Sequence, residues 1–328
     1  MNVLVTGGAG YIGSHVVRLL RQAGHRCVVY DDLSAGHAAA VGDAPLVRGA
    51  TGDTDALAAA LRDAAAEAVV HLAAFIEAGE SVERPGKYFR NNAFGALSLL
   101  EAMRAAGVGR VVFSSTAAVY GTPRRTPIEE TDPTAPINPY GASKLCAELF
   151  MRGFATAHGL GGVSLRYFNV AGAHPDGDLG EDHDPETHLI PLLLRVAAGR
   201  GRAARIFGDD YDTPDGTCIR DYIHVMDLAA AHVRALEAAR AGELEVFNLG
   251  NGEGFSVREV LEACREVTGR PIPAEVAPRR PGDPPRLVAS CRKAREVLGW
   301  RPERSDLRTI VADAWRWHTG HPDGYGDG

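Results

Sequence analysis

Cysteine is scarce in this chain of 328 residues, and its spacing excludes two kinds of stabilising site. The five cysteines are scattered, odd in number and free of any Cys-x-x-Cys pair: Cys27, Cys146, Cys218, Cys264 and Cys291. A disulfide framework or a cysteine-ligated zinc site needs closer and more regular spacing. The pattern therefore predicts reduced thiols and a cytoplasmic location, and we predict no metal site from the sequence.

Long hydrophobic runs and an excess of positive charge are also missing. No apolar stretch approaches the roughly 20 residues that span a bilayer, and the N-terminus lacks the core of a signal peptide. The formal net charge is -7, with 45% apolar and 23% charged residues. A general attraction to nucleic acid or membrane is therefore not predicted, and the composition is ordinary for a protein with an ample hydrophobic core.

A glycine-rich turn near the N-terminus has the spacing of a dinucleotide-binding loop. A short buried strand ends at Thr6, and the glycines that follow are Gly7, Gly10 and Gly13. Such glycines allow a tight turn, close approach of backbone to a pyrophosphate, and packing of helix on strand. The helix that begins at Tyr11 and Ile12 offers free N–H groups to phosphates.

Two acidic residues follow the next predicted strand. Asp31 lies eighteen residues after Gly13 and is followed by Asp32. A carboxylate at this position accepts hydrogen bonds from the adenosine ribose hydroxyls and repels a 2′-phosphate. The pair therefore predicts NAD rather than NADP.

Strands and helices alternate through the first half, which predicts a Rossmann-type doubly wound parallel sheet. In such sheets ligands bind outside the carboxyl ends of the strands. The predicted ends gather several polar or small residues at one rim: Asp31, Ala73, Thr116 and Asn169. We expect His71, inside a buried strand, to be a core residue.

A tyrosine and a lysine four residues apart lie near this rim. Tyr140 and Lys144 share one face of a predicted helix that begins at Pro139. A neighbouring ammonium favours the phenolate and brings the pKa of a phenol, roughly 10, nearer to working pH. The pair therefore predicts a tuned base.

The second half changes in character after Asn169. A Gly/Asp/Pro-rich loop is followed by short strands, helices and a proline-stiffened basic loop over 277–283. We predict an NAD-binding domain over residues 1–170, with returning segments near 221–250, and a smaller mixed α/β substrate-binding domain over 171–328.

Ordered motifs along nearly the whole chain resemble the extended short-chain dehydrogenase/reductase family, and within it the sugar-nucleotide 4-epimerases. They include the Gly7 loop and the segments 79–82, 113–121, 139–144, 166–169, 172–175, 220–228 and 277–283. The resemblance implies an NAD-containing enzyme that interconverts UDP-glucose and UDP-galactose.

The same resemblance implies a role for each site residue. Tyr140 would take the proton from the sugar 4-hydroxyl, Lys144 would lower its pKa, and Thr116 would hydrogen-bond that hydroxyl. The residues implied in cofactor binding are Gly7, Gly10, Tyr11, Ile12, Gly13, Asp31, Asp32, Leu72, Ala73, Ala74, Asn91, Ser114, Tyr140, Lys144 and Phe168. Those implied in substrate binding are Thr116, Tyr140, Asn169, His188, Leu189, Phe207, Arg220, Arg280, Asp283 and Leu287.

Several positions depart from the family pattern. Ala50 stands where an aspartate commonly contacts adenine, and Asp53 is its nearest replacement. Ile76 and Glu77 occupy a segment in which many members carry a lysine, which predicts looser binding of NAD. Leu287, at the position that gates N-acetylated sugars, is of intermediate bulk, so UDP-N-acetylglucosamine or a UDP-pentose stays open as substrate.

Other functions remain as alternatives. A sugar-nucleotide 4,6-dehydratase needs an acid and a base after Thr116, but Ala117 and Ala118 carry no proton. A net reductase would exchange its cofactor in each cycle, and a silent NAD-binding relative would not need Tyr140. The apolar helices over 91–107 and 140–158 are candidate faces of a homodimer, unless they pack only on their own sheet.

Overall fold

The structure, a computed structural model, describes residues 1–280 and 283–326. Pro281 and Gly282, part of the loop predicted over 277–283, lie outside the described residues, as do Asp327 and Gly328. No helix in the described ranges combines the length and hydrophobicity needed to cross a membrane.

Buried β-branched segments form most of the strands, because such side chains pack well on a pleated surface. The strands are β1 (Asn2–Thr6), β2 (Arg26–Asp31), β3 (Leu46–Arg48), β4 (Ala68–His71), β5 (Arg110–Ser114), β6 (Gly161–Tyr167), β7 (Asn169–Ala171), β8 (Ala204–Phe207), β9 (Ile219–Arg220), β10 (Tyr222–His224), β11 (Leu244–Leu249), β12 (Phe255–Ser256), β13 (Ala274–Ala277) and β14 (Arg286–Leu287).

The helices follow the amphipathic segments of the chain. They are α1 (Tyr11–Gln22), α2 (Thr54–Asp63), α3 (Ala78–Glu83), α4 (Pro85–Tyr88), α5 (Gly95–Ala106), α6 (Pro139–His158), α7 (Leu189–Ala197), α8 (Val225–Ala238), α9 (Val257–Thr268), α10 (Arg292–Val297) and α11 (Leu307–Gly320). A π-helical turn, Phe89–Phe94, precedes α5.

The main sheet contains, in the described part of the chain, seven parallel strands in the order β11-β6-β5-β4-β1-β2-β3. The order reverses between β1 and β4, which is the switch point where ligands bind in such sheets. The predicted fold class, a Rossmann-type doubly wound sheet, is confirmed.

Helices cover both faces of this sheet, as its alternating side chains require. Val3 and Val5 belong to a buried cluster with α1 and α8, whereas Leu4 lies in a second cluster with α2, α5 and α6. His71 of β4 is 3% exposed and hydrogen-bonds the Thr6 Oγ1 at 2.6 Å, so it is a core residue as predicted.

Within residues 1–280 and 283–326, three small sheets stand apart from the main one. Strand β7 pairs with β10, β8 pairs with β13, and β9 lies between β12 and β14. Helices α7, α9 and α11 pack with some of these strands in a third buried cluster. Although β11 lies late in the chain, it is the edge strand of the main sheet beside β6.

Candidate active site

The N-terminus of α6 holds the predicted tyrosine at the rim of the main sheet. Asn138 caps this helix, because its Oδ1 accepts a hydrogen bond from the Gly141 N–H at 2.8 Å, and Pro139 pre-sets the first turn. The ring of Tyr140 meets Tyr88 edge-on, with 6.5 Å between centroids. Its phenol interacts with the Thr116 hydroxyl beyond the end of β5. The structure therefore brings together two of the predicted catalytic residues.

Lys144 lies one turn further along the same face of α6. It is 3% exposed, and its Nζ donates a hydrogen bond to the Ser114 carbonyl oxygen at 2.9 Å. The Nζ also stands 5.0 Å from the centroid of the Phe113 ring. Loss of water lowers the pKa of Lys144 to about 7, because burial disfavours an ammonium ion.

The electrostatics of Tyr140 differ from the sequence prediction. Burial raises the pKa of its phenol above the usual value, the Thr116 hydrogen bond lowers it, and the Glu77 carboxylate raises it further. In the protein alone, the expected lowering of this pKa by Lys144 does not contribute, and burial dominates. The physical reason is that burial disfavours both charged forms: it favours the neutral amine of Lys144 and the neutral phenol of Tyr140.

The glycine loop fits a closely approaching pyrophosphate. A Cβ on Gly7 would lie 2.5 Å from the Ala73 nitrogen, and one on Gly13 would lie 2.0 Å from the Gly7 oxygen. Gly10 is the N-cap of α1 and offers no side chain to its first N–H groups. These groups, together with the dipole of α1, suit an anion.

The end of β2 points a carboxylate at this loop. Asp31 is 8% exposed, and its Oδ2 accepts a hydrogen bond from the Ala9 N–H at 3.0 Å while its Oδ1 accepts one from Leu33 at 2.9 Å. Burial raises the pKa of Asp31, and the two backbone hydrogen bonds partly offset this. The neighbouring Asp32 accepts a hydrogen bond from the Ser34 N–H at 2.9 Å. Each acid retains acceptor capacity for ribose hydroxyls.

The other predicted cofactor residues lie along the same rim. Leu72 and Ala73 extend β4 and donate N–H hydrogen bonds to the Thr6 oxygen, with Ala74 following. Phe168 directly follows β6, and Tyr11 and Ile12 open α1. The Tyr11 hydroxyl donates a hydrogen bond to the Gly172 oxygen at 2.7 Å, which ties α1 to the second half of the chain.

The predicted substrate residues form two contacting groups in the second half. Arg220 pairs with Asp283 at 2.5 Å, and Leu287 lies opposite Arg220 where β14 pairs with β9. The guanidinium of Arg280 lies 4.1 Å from the centroid of the Phe207 ring. This part of the site carries arginine guanidinium groups, whose paired N–H donors match the oxygens of a diphosphate.

Asn169 and Leu189 lie at the ends of two further elements. Asn169 begins β7, its side chain is hydrogen-bonded with Tyr222, and its N–H donates to the Asp221 oxygen at 3.0 Å. Leu189 is the first residue of α7, directly after the N-cap His188.

Comparison with known proteins shows which family this chain belongs to. Residues 3–250 match the model of the NAD dependent epimerase/dehydratase family. The chain belongs to this family. The family prediction from the sequence is therefore confirmed.

Close relatives of this family member are named epimerases. A UDP-glucose 4-epimerase of Streptomyces lividans is 56% identical over 326 residues, which cover 99% of this chain and 98% of the relative. The solved UDP-glucose 4-epimerase from Brucella ovis in complex with NAD is 50% identical, with a TM-score of 0.93 over 96% of this chain and 98% of that chain. The one from Bifidobacterium longum, in complex with NAD+ and UDP, is 38% identical, with a TM-score of 0.93 over 99% of this chain and 100% of that chain.

The departures from the pattern of the family have local structural explanations. The Asp53 carboxylate accepts a hydrogen bond from the Ala56 N–H at 3.0 Å and so caps α2. Ala50 accepts a hydrogen bond from the Tyr30 hydroxyl at 3.2 Å through its backbone oxygen. Glu77 accepts a hydrogen bond from the Thr187 hydroxyl at 2.9 Å, joining the loop after β4 to the segment before α7.

His188 faces carboxylates in this epimerase-family chain. Its Nδ1 lies 2.9 Å from both Glu181 Oε1 and Glu186 Oε1. Burial alone would lower the pKa of His188, but hydrogen bonds to these two carboxylates raise it to about 11. This cluster was not predicted from the sequence, although residues 181–188 contain the pattern Glu-x-His-x-x-Glu-x-His, which would have indicated it.

Asn92 was not predicted, since the resemblance implied its neighbour Asn91 instead. The Asn92 Oδ1 accepts hydrogen bonds from the Phe75 N–H and the Asn91 amide, and its Nδ2 donates to the Phe75 oxygen and Ser143 Oγ at 2.9 and 3.1 Å. It thereby joins the loop after β4 to α6. The π-helical turn that carries it is a structural signal of such sites.

Proposed function

We propose that this protein interconverts UDP-glucose and UDP-galactose by oxidation and re-reduction at sugar C4, with NAD as its cofactor. One observation carries the proposal. The Tyr140 phenol interacts with the Thr116 hydroxyl, and Lys144 follows one turn later on α6, at the rim that also holds the glycine loop. The epimerase names of relatives over nearly the full chain support it.

Tyr140 acts as the base of the proposed reaction. It takes the proton of the sugar 4-hydroxyl, and Thr116 hydrogen-bonds the same oxygen and favours the phenolate. NAD, when bound, supplies a carbon that accepts the C4 hydride and returns it. Tyr140 gives its proton back when hydride returns to the other face of the 4-keto sugar, so no net oxidation results.

In the proposed complex with NAD, Lys144 positions the base and favours its phenolate form. Its hydrogen bond to the Ser114 carbonyl holds the ammonium between α6 and β5. Lys144 would also hold a ribose of bound NAD. The residues that fit the rest of NAD are the bare N-terminus of α1 for the pyrophosphate and Asp31 for the ribose hydroxyls.

The second group of residues holds the nucleotide diphosphate. Arg220 and Arg280 supply guanidinium groups on a chain whose net charge is -7, so the attraction for phosphate is local. Phe207 and Asn169 complete this side, and Asp283 orients Arg220. Residues 1–170 with the segments near 221–250 form the proposed NAD-binding domain, and 171–328 the substrate-binding domain.

Other activities find less support in the same site. Ala117 and Ala118 open a 3₁₀ turn after Thr116 and carry no acid or base for a dehydratase. Leu287 beside Arg220 is the observation that keeps an N-acetylated or pentose UDP-sugar as a second candidate substrate.

We also propose a cytoplasmic homodimer. Phe94 at the start of α5 and Leu149 on α6 are 55% and 57% exposed, and Val82 on α3 is 64% exposed. Apolar side chains exposed on neighbouring helices favour burial against a second copy. The free cysteines of the described ranges suit a reducing compartment. Sedimentation of the purified protein distinguishes dimer from monomer.

Incubation with single sugar nucleotides tests the proposed activity. The pure protein is given UDP-galactose, UDP-glucose or their N-acetylated forms without added NAD. We expect interconversion at C4 without accumulation of NADH. Stoichiometric release of NADH, or a persistent 4-keto-6-deoxy product, would contradict the proposal.

A further inference from the structure

Four potential metal ligands converge in the loop before α7. Atoms of Glu181, His183, Glu186 and His188 all lie within 4.8 Å of one another. The Nδ1 atoms of both histidines face the carboxylates, at 2.9 to 3.9 Å. Ligands about 2.0–2.2 Å from a tetrahedral zinc ion are spaced by similar distances.

One carboxylate oxygen in this cluster is buried and has no partner. The Glu186 side chain is 1% exposed. Its Oε1 accepts hydrogen bonds from the N–H groups of Thr187 and His188, both at 2.7 Å, and from the His188 ring. Its Oε2 makes no hydrogen bond. The Nδ1 of His183 lies 3.9 Å from this atom and 3.3 Å from Glu181 Oε1. A buried polar atom without a partner is costly.

We propose that Glu181, His183, Glu186 and His188 form a binding site for one divalent transition-metal ion of the zinc class. Two carboxylates and two imidazoles are a common ligand set for such ions, whereas Mg²⁺ and Ca²⁺ prefer oxygen ligands alone. A dication balances the two buried negative charges and gives Glu186 Oε2 a partner. The hydrogen bonds to Glu186 Oε1 then orient Oε2, as outer contacts of metal ligands do. This departs from the sequence prediction of no metal site.

The ion would stabilise a segment next to the proposed active site. All four ligands lie within eight residues, and His188 is the N-cap of α7. Glu181 is also tied to α11, because its backbone oxygen accepts a hydrogen bond from Trp317 Nε1 at 3.2 Å. Metal binding at such a site adds to the stability of the folded state by mass action. The proposal does not rest on the proposed epimerase activity, although His188 is also one of the residues implied in substrate binding.

A second group of ligands, His174, Asp176 and Asp178, supplies the matched control. Its two aspartates are 78% and 51% exposed, and Asp178 already pairs with Arg18 at 2.7 Å. We therefore assign no site to it. Asp176→Asn removes a carboxylate there without touching the buried cluster.

Metal binding by the tag-free, chelator-treated chain tests the proposal. Zn²⁺ alone is titrated by calorimetry, bound metal is counted by elemental analysis, and Co²⁺ is added to record visible absorption. We expect one ion per chain, a tetrahedral cobalt spectrum and a higher melting temperature. Glu186→Gln keeps an acceptor for the backbone N–H groups and should weaken zinc binding by more than about 100-fold, beyond the usual cost of losing an outer contact. Asp176→Asn should bind as the unaltered chain does.

Two results would overturn the assignment. One is an unaltered chain that binds no zinc or shows only octahedral cobalt absorption, a measurement that needs no variant to fold. The other is equal zinc affinity in Glu186→Gln and the unaltered chain. His183→Gln serves as a second ligand variant, and the melting temperature of each variant without metal verifies that it is folded.

Discussion

Replacing Glu148 by alanine should strongly lower the free energy of unfolding of the protein. Glu148 lies on α6, the helix that carries the proposed catalytic residues. Glu148 follows Tyr140 and Lys144 on the same face of α6 and is 3% exposed. Its two oxygens hold Arg166 of β6, with Nε at 3.0 Å and Nη2 at 2.5 Å. The Oε1 also accepts hydrogen bonds from Ser115 Oγ at 2.6 Å and Ser164 Oγ at 2.9 Å.

The expected size of the effect follows from what the substitution leaves behind. Arg166 would remain buried with an uncompensated charge, and such a loss costs about 3–5 kcal/mol. Unfolding gains roughly 2.1 cal/mol/K per residue near 60 °C, so the entropy change for 328 residues is about 0.7 kcal/mol/K. The melting temperature of Glu148→Ala should therefore fall by about 4–7 °C.

An exposed pair on the neighbouring helix is the control for this prediction. Glu101 of α5 is 43% exposed and lies 3.1 Å from Arg104. Glu101→Ala removes a helical glutamate of the same kind, but an exposed pair contributes at most about 1 kcal/mol, or about 1.5 °C. Both variants are melted side by side by calorimetry. Equal melting temperatures would refute the argument that the buried network stabilises α6.

Three further predictions concern the cofactor loop, the lysine and the sugar. Gly13→Ala should lower both the melting temperature and NAD affinity, because its Cβ would lie 2.0 Å from the Gly7 oxygen. Gly10→Ala, with 3.5 Å to the same atom, should weaken NAD binding about tenfold or more with little change in melting temperature; equal stability losses would contradict this. The pKa of Lys144, about 7 in the folded protein, lies below its usual value of 10.5. Burying the charged ammonium therefore lowers the free energy of unfolding by its full amount below pH 7, and this destabilisation decreases as pH rises toward 10.5. Lys144→Met should thus raise the melting temperature of the cofactor-free protein more at about pH 6 than at about pH 10, and a pH-independent difference would oppose this reasoning. Leu287→Tyr should lower kcat/KM for UDP-N-acetylglucosamine about tenfold more than for UDP-galactose, and equal losses would remove Leu287 as a gate.

The fold could be predicted from the sequence because its signals are local. The apolar run before Gly7, the three glycines and the acid after the next strand define a strand-helix-strand unit by themselves. Parallel strands then bring their carboxyl ends to one rim, so Thr116 and Tyr140 could be placed near each other. The helix predicted from Asn91 begins instead with a π-helical turn, whose packing on Phe75 and Ser143 no local pattern indicates.

What could not be predicted depends on burial and on contacts distant in the sequence. The helical spacing of Tyr140 and Lys144 predicted a lowered phenol pKa, but their shared loss of water reverses the balance in the protein alone. The network of Glu148 and Arg166 joins α6 to β6 through residues of ordinary composition. His188 contacts Glu181 and Glu186 because the 181–188 loop folds back on itself. The composition of the loop does not indicate this conformation.

Turnover by Tyr140→Phe tests the central claim most directly. The variant loses only the phenol oxygen, and its ring still packs against Tyr88. Conversion of UDP-galactose is measured alongside the NAD content of the purified variant. We expect kcat to fall by about 10²–10⁴-fold while NAD content and melting temperature stay near those of the unaltered chain. Turnover within about tenfold of the unaltered chain would contradict the assignment of Tyr140 as the base.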